Sequence, residues 1–405
     1  MKRLKSIYFL IGELSVAASQ WIIISLIAKN YSLTELGIYT YYLAIIAPVT
    51  VIIQMQHRTI YVTEGIKNVS IEKYFNLRIK LIILVFLLIA PTFLITETNN
   101  FLCMLSILLW KSFELLSDLI YGYWQKKEEI KNITISKIFK SIFYIVIFVF
   151  CVYSNKSMLL SLISLSIVSG IALFLDIVKS KIHIKTLFVY KEFTIFDMKK
   201  IVKISIPLAI ASMLNILYIN MPKYVFGYFK MTNEVAIFSS ISYILVIGNM
   251  IINSIIQVKV NHIAQLYKLK EIKKIKKESL KFFKYILLIS TFILIFVTFF
   301  GDNLLAVLYN EKISEYYFLL AMLIFGSVFN YFSIIIGVVL TAAQKYKLQP
   351  VLAFCWCCVY AVSSILLIKY FGLYGSGISF IISSLIQFFS IYYFYNNLIK
   401  EKIYD

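Results

Sequence analysis

Lys111, Glu114 and Asp118 stand three and four residues apart within one apolar stretch, so on a helix they share a single stripe. Ionisable groups are costly in hydrocarbon, and a stripe of three must face a protein interior or a watery cavity. Two chemistries fit. A Lys111–Glu114 pair would lock two helices together, or Lys111 would attract an anion while Glu114 or Asp118 exchanges a proton or a cation. Pairing Lys111 leaves one carboxylate over, which favours the second reading.

His57 and Arg58 lie deep in another apolar stretch, and Gln257, Lys259 and His262 lie at a comparable depth in a third. Arg58 and Lys259 facing each other would suit a phosphate group, the guanidinium as a bidentate fork and the ammonium as a point charge. Alternatively, both snorkel to the headgroups on long aliphatic stems. Further polar groups fall inside apolar stretches: Glu13 and Gln20, then Asn215, Asn220 and Lys223, then Asn249, Asn253 and Asn261, and finally Asn330. Amides repeated down one side suit a water-facing wall, although any one of them can serve as an interhelical hydrogen bond. Pro222 frees a backbone carbonyl one turn earlier and permits a kink.

The elements that must position these groups are membrane-spanning helices. At 1.5 Å per residue, runs such as Ile79–Ile95 and Tyr285–Phe300 are about long enough for a hydrocarbon core of about 30 Å. The pattern predicts twelve spans: 6–28, 36–66, 79–95, 101–125, 133–153, 157–178, 201–226, 235–263, 282–300, 316–344, 349–369 and 374–397. Alternate gaps are rich in lysine, beginning with Lys2, Arg3 and Lys5, then Lys67, Lys73, Arg78 and Lys80, then Lys126, Lys127 and Lys131. The intervening gaps carry little beyond Lys29, Lys156, Lys230, Lys312 and Lys369. This positive-inside bias places both termini in the cytoplasm. The first stretch contains Glu13 and Gln20 and lacks a small-residue cleavage site, so it reads as a retained span and not a signal peptide.

Composition restricts the function. With 61% hydrophobic residues and a mean hydropathy of +0.85, the short connections leave no room for a soluble domain of ordinary size. The net charge of +20 belongs to cytoplasmic lysines facing anionic lipid and calls for no nucleic acid. Cys355, Cys357 and Cys358 lack metal-site spacing and, with Cys103 and Cys151, read as packing residues. The chain contains no Gly-rich loop followed by Lys-Ser/Thr, and no metal or organic cofactor is expected.

The longest polar interruption, 179–200, falls at the midpoint. The expected division is a six-helix lobe over 1–180, a cytoplasmic linker over 181–200 and a second six-helix lobe over 201–405. Glu35-Leu36-Gly37-Ile38-Tyr39 in the first half is echoed by Glu234-Val235-Ala236-Ile237-Phe238 in the second, each opening a long helix. Six spans per half make the repeats parallel, which places a substrate site between them.

The run Ile206-Pro207-Leu208, then Asn220-Met221-Pro222-Lys223-Tyr224, Ala236-Ile237-Phe238-Ser239 and Ser242-Tyr243 resembles the start of the second lobe in Wzx-type polysaccharide flippases. Lys111, Glu114, Asp118, Tyr121-Gly122, Gln125-Lys126-Lys127 and Ser136 resemble that family's fourth and fifth spans, and Glu35 to Tyr39 with Pro48 its first lobe. The resemblance implies the multidrug/oligosaccharidyl-lipid/polysaccharide exporter superfamily, with an all-α fold of two six-helix lobes around a central cavity and alternating access. It further implies an undecaprenyl-diphosphate-linked sugar repeat unit as cargo, moved from the cytoplasmic to the periplasmic leaflet of a bacterial inner membrane for O-antigen or another surface polysaccharide. The basic residues expected to hold the diphosphate map to Arg58, Lys111 and Lys259, and then Lys223; the amides Asn220, Asn253 and Asn330, read from their place inside the spans, are the further expected substrate contacts. Pro222-Lys223 departs from the family's proline-arginine and removes a bidentate donor. Glu114, Asp118 and Glu13 are the expected coupling groups for a proton or sodium ion. A polysaccharide polymerase and a chain-length regulator are the expected protein partners.

Two rival classes remain. A drug or cation antiporter of the same superfamily would want acidic residues in a cavity with few cations, whereas here cations at least match carboxylates. A polymerase or transferase generally carries a large extracytoplasmic loop or paired carboxylates, which 31–35 and 301–315 do not supply. An acyltransferase base would have to come from His57, His183 or His262.

Overall fold

In the computed structural model, the described backbone covers residues 2–63, 70–94, 97–182, 195–269, 271–343 and 348–404. Side chains are described in these segments except at 2–6, 195–198, 200, 251, 253–262, 264, 268, 272, 342 and 399–404. All described regular structure is helical. The order is α1 (Lys2–Asn30), α2 (Leu33–Gln54), α3 (His57–Val62), α4 (Ile71–Ile89) with a 3₁₀ turn (Ala90–Leu94), α5 (Thr98–Lys126), α6 (Ile130–Tyr153) and α7 (Met158–Ser180). It continues with α8 (Ile195–Tyr228), α9 (Thr232–Lys268), α10 (Ile272–Leu308), the single turn α11 (Glu311–Ser314), α12 (Tyr317–Ala342) and α13 (Leu348–Tyr404).

Ten segments among the described residues are long and apolar enough to cross a membrane, so the chain is a multi-pass membrane protein. Helix α5 is not one of the ten, although its 29 residues are long enough, because it carries the Lys111, Glu114 and Asp118 stripe. Helix α13 counts once, yet its run of 57 residues bends at Gly372, whose φ of 54° and ψ of −131° are not helical. The two arms fold back on each other: Trp356 Nε1 donates to Ser390 Oγ at 2.8 Å, and Ser364 and Ser379 meet at 3.2 Å.

Helix starts follow local chemistry. Ser32 accepts from the Glu35 backbone N–H at 3.2 Å while Glu35 Oε2 accepts from the Ser32 N–H at 3.0 Å, a reciprocal cap that opens α2. Ser157 caps α7 and Asn310 caps α11 in the same way, by accepting a backbone N–H with the side chain. Two boundaries differ from expectation. The second span does not run unbroken to residue 66: it stops at Gln54 and restarts at His57. The third begins at Ile71 and takes Arg78, expected in a cytoplasmic gap, into the protein interior at 0% exposure. Of the expected loop lysines, Lys67 lies outside the described residues.

The chain divides into two compact units, Met1–Ile216 and Leu217–Asp405. In the first, α1 packs on α6, α5 on α7, and α2 with α3 on α5. The contacts fix directions. Thr134 and Lys137 of α6 reach Tyr8 and Glu13 of α1, so those helices run parallel. Ser166 and Ser169 of α7 donate to the carbonyls of Ser106 and Trp110, so α5 and α7 are parallel as well. Their core holds Ile53, Tyr74, Phe75, Leu119, Trp124 and Ile201. The second unit repeats part of this pattern. Gly326 of α12 lies against Phe380 and Gly337 against Ile391, which makes α12 parallel to the second arm of α13. Ile335, Ile336 and Val339 of α12 are at its core.

A test of this packing is available at Gly375, where a Cβ would overlap the Leu367 carbonyl in the bend between the α13 arms. Gly375→Ala must force the backbone of the bend apart and is expected to destabilise the protein by about 1–3 kcal/mol. At Gly337 a Cβ meets only the Ile391 Cδ1 at 3.5 Å, so Gly337→Ala should be near neutral. Thermal unfolding of the two detergent-solubilised variants side by side gives the comparison; equal melting temperatures would contradict the described bend.

Candidate functional site

The break in the second span brings Arg58 beside Asp118 in the first unit. Met55 and Gln56 take φ values of 44° and 52°, two consecutive non-glycine residues in the left-handed region. Each costs on the order of 1–2 kcal/mol, which surrounding contacts must offset. Met55 is buried, and Gln56 donates through Nε2 to Ser212 Oγ at 3.0 Å and accepts from Thr59 Oγ1 at 3.0 Å. The result is that α3 restarts off the axis of α2 and packs against α5, carrying Arg58 with it.

Arg58 lies across Gly122, where even a Cβ would come within 3.2 Å of its Cγ. Its Nη1 meets Asp118 Oδ1 at 3.1 Å and its Nε donates to Gln125 Oε1 at 2.9 Å. Its Nη2 has no hydrogen-bond partner among the described residues. The guanidinium carbon stands 5.7 Å and 6.0 Å from the ring centres of Phe9 and Tyr121, within cation–π range. The other Asp118 oxygen accepts from Gln54 Nε2 at 3.2 Å and from Arg78 Nη1 at 3.4 Å. Arg78 is wholly buried. It also donates to the Leu115 carbonyl at 2.6 Å and, through Nη2, to the carbonyl of Gln54 at 2.9 Å. Gln54 is the last residue of α2, so a fixed cation sits at the negative end of that helix.

Three more ion pairs extend this network. Lys137 of α6 pairs with Glu13 of α1. Lys140, one helical turn further along α6, pairs with Asp176 of α7 at 3.1 Å, both groups being almost fully buried, and donates to Tyr121 Oη at 2.8 Å. Tyr121 also hydrogen-bonds Ser136 at 2.8 Å and stacks on Trp124. Lys111 pairs with Glu114 at 2.9 Å, Tyr144 donates to the other oxygen of Glu114 at 3.3 Å, and the Lys111 ammonium lies 4.2 Å from the Trp110 ring centre. The described interior groups of this unit are therefore Arg58, Arg78, Lys111, Lys137 and Lys140 against Glu13, Glu114, Asp118 and Asp176. Because Asp118 serves two arginines, the Arg58–Asp118–Arg78 cluster carries a surplus positive charge.

The structure thus joins Arg58 to Asp118 and gives Glu13 a lysine partner. Lys111 and Glu114 form the local pair that their spacing allows. The expectation of a left-over carboxylate is corrected: Asp118 is not spare, since two arginines reach it, and the surplus lies on the cation side. In the second unit, Asn220 is buried, Asn330 is half-buried on α12, and Lys223 is half-buried on α8 with no ion pair among the described residues. Lys259 and Asn253 lie on α9 with side chains outside the described residues.

Sequence reasoning missed Arg78, Lys137, Lys140 and Asp176. The last three carry the same signal as Lys111, an ionisable group inside an apolar span. Lys137 and Lys140 stand three apart on α6, a spacing that puts both on one face. Arg78 was obscured by its neighbours Lys73 and Lys80, which made it look like part of a loop.

The chain that builds this network has relatives among known proteins. Residues 4–266 match the family described as polysaccharide biosynthesis protein, which is well over half of the chain. The chain belongs to that family. It is also 29% identical over 402 residues to the capsular polysaccharide biosynthesis protein CapF of Staphylococcus aureus, an alignment spanning 96% of this chain and 98% of the relative. Among solved structures, a single-residue mutant of the Vibrio cholerae MATE transporter VcmN superposes with a TM-score of 0.63 at 14% identity, covering 98% of this chain and 96% of the other. A Pyrococcus furiosus transporter of the MOP superfamily, described as having a binding pocket of reversed polarity, matches with a TM-score of 0.60 at 14% identity over 98% and 95% of the two chains. At that identity the likeness establishes a fold, and the fold is that of MATE-like transporters.

Proposed function

We propose that this protein is a flippase that carries undecaprenyl-diphosphate-linked oligosaccharide repeat units from the cytoplasmic to the periplasmic leaflet of a bacterial inner membrane by alternating access. In this reading the chain crosses the membrane twelve times, α5 and the two arms of α13 each making one crossing, with both termini cytoplasmic. The observation that carries it is the surplus positive charge at Asp118, which two arginines share. A buried site with more cations than carboxylates suits an anionic diphosphate, and it sits in a family whose members serve polysaccharide biosynthesis. From their place inside the spans of the sequence, Lys223 is proposed as a further cation for the cargo and Asn220 and Asn330 as amides for sugar hydroxyls. Lys111, Lys259 and Asn253 complete the proposed substrate contacts.

A cation-coupled multidrug antiporter has the support of the MATE-like fold. Against it stands the pairing of Glu13, Glu114, Asp118 and Asp176, each held by lysine or arginine and none of the four left to balance a cationic drug. The Pyrococcus furiosus relative, with its pocket of reversed polarity, supports the idea that this fold accommodates other cargo. Coupling to a proton or sodium ion would use Glu13, Glu114 or Asp118, and Glu13 is the most accessible of the three at 34% side-chain exposure. The pattern of a transporter, not an enzyme, fits the rest: a lipid-linked sugar is the substrate, and a polymerase and a chain-length regulator act on it after it has crossed.

The test is a pair of assays on one preparation of proteoliposomes. Headgroup flipping of a fluorescent undecaprenyl-diphosphate oligosaccharide is expected, and efflux of a cationic dye under a proton or sodium gradient is not. Dye efflux without flipping would move the chain to the antiporter class.

A further inference from the structure

The two arginines that share Asp118 are held very differently, and that difference has a use. Arg78 is 0% exposed and is anchored to two backbone carbonyls as well as to the carboxylate. Arg58 is 15% exposed, touches Asp118 through one nitrogen, and keeps Nη2 without a hydrogen-bond partner among the described residues. It rides on a helix of only six residues that starts at the strained Met55–Gln56 break. If Arg58 turned away, Asp118 would still be neutralised by Arg78 and still hydrogen-bonded by Gln54, so no bare carboxylate would remain at this point of the interior. If Arg78 turned away, a wholly buried guanidinium would lose the one carboxylate it reaches among the described residues.

We propose that Asp118 is a resident counter-ion for Arg58, a place-holder that an anionic phosphate headgroup displaces, and that Arg78 keeps Asp118 in position during the exchange. This rests on the flippase reading and deepens it by giving Asp118 and Arg78 positioning roles. The free protein avoids an unpaired cation in a low-dielectric interior, where such a charge is costly. The loaded protein exchanges one ion pair for another with a more highly charged partner. When the headgroup leaves, Asp118 recaptures Arg58, which favours release. Asp118 therefore weakens binding and speeds turnover, the opposite of what a purely structural tie would do.

The experiment is calorimetric titration of the purified full-length protein in detergent with farnesyl diphosphate, and with farnesol as the neutral control. Wild type is expected to bind the diphosphate in preference to farnesol. Asp118→Asn keeps an acceptor for Arg78 but removes the competing charge, and it is expected to bind on the order of tenfold more tightly. The double variant Asp118→Asn with Arg58→Gln should lose that gain. Gln125→Met loosens only the Arg58 Nε contact, leaves the buried Arg78–Asp118 pair intact, and should tighten binding about two- to threefold, so it decides the matter even where Asp118→Asn misfolds. Unchanged or weaker binding by both variants, with wild type still preferring the diphosphate, would overturn the exchange and leave the flippase reading standing. No preference for the diphosphate over farnesol in wild type would overturn both.

Discussion

Lys140→Met is expected to destabilise the protein by about 3–5 kcal/mol, because it leaves Asp176 in the interior with its charge uncompensated. Lys140 and Asp176 are 5% and 6% exposed and 3.1 Å apart, and they tie α6 to α7 far from bulk water. The lysine also donates to Tyr121, so its loss removes a partner from α5 at the same time. Replacing both charges, as Lys140→Met with Asp176→Leu, removes the buried ions together and should recover most of the loss, since an apolar pair of similar size commonly matches a buried salt bridge in stability. The measurement is thermal unfolding of the two variants and wild type in one detergent. A double variant no more stable than the single one would show that the contribution of Lys140 lies elsewhere, in its hydrogen bond to Tyr121.

The second large effect concerns transport. Arg58→Gln preserves much of the side chain's length and its contact with Gly122 while removing the charge, and Arg78 remains to neutralise Asp118. Folding should therefore survive. Flipping of a diphosphate-linked oligosaccharide should fall at least about tenfold, the scale of losing one charge-assisted hydrogen bond to an anion. Arg58→Lys, which keeps the charge but not the fork, should retain part of the activity. Flipping rates in proteoliposomes, normalised to reconstituted protein, separate these cases. Full activity in Arg58→Gln would remove Arg58 from the site.

The membrane-spanning fold was legible because the bilayer imposes it: a helix is the cheapest way to satisfy the backbone in hydrocarbon, and its length is set by the membrane. The stripe at Lys111, Glu114 and Asp118 and the deep position of Arg58 were visible for a related reason, since charges stand out against an apolar background. What the linear pattern could not supply was pairing. Asp118 looked like the group left over beside Lys111 and Glu114, yet its partners lie 40 and 60 residues away in the chain, on α4 and α3. Nor could apolar periodicity reveal the break at Met55 and Gln56: neither residue is a glycine or a proline, and the polar residues around them, Gln54, Gln56, His57 and Arg58, mark polarity and not a change of backbone direction. That break is what delivers Arg58 to α5. Arg78 shows a converse failure: a lysine-rich neighbourhood concealed a wholly buried guanidinium.

The central claim is that the surplus cation of the first unit selects an anionic headgroup, and the most direct measurement compares two lipids that differ only in linkage. The same fluorescent oligosaccharide is attached to the same polyprenyl tail through a diphosphate in one and through a neutral glycosidic bond in the other, and each is assayed for flipping in wild-type proteoliposomes. The expected result is transport of the diphosphate-linked lipid and little or none of the neutral one. Equal rates for the two would contradict headgroup selection by Arg58, Asp118 and Arg78.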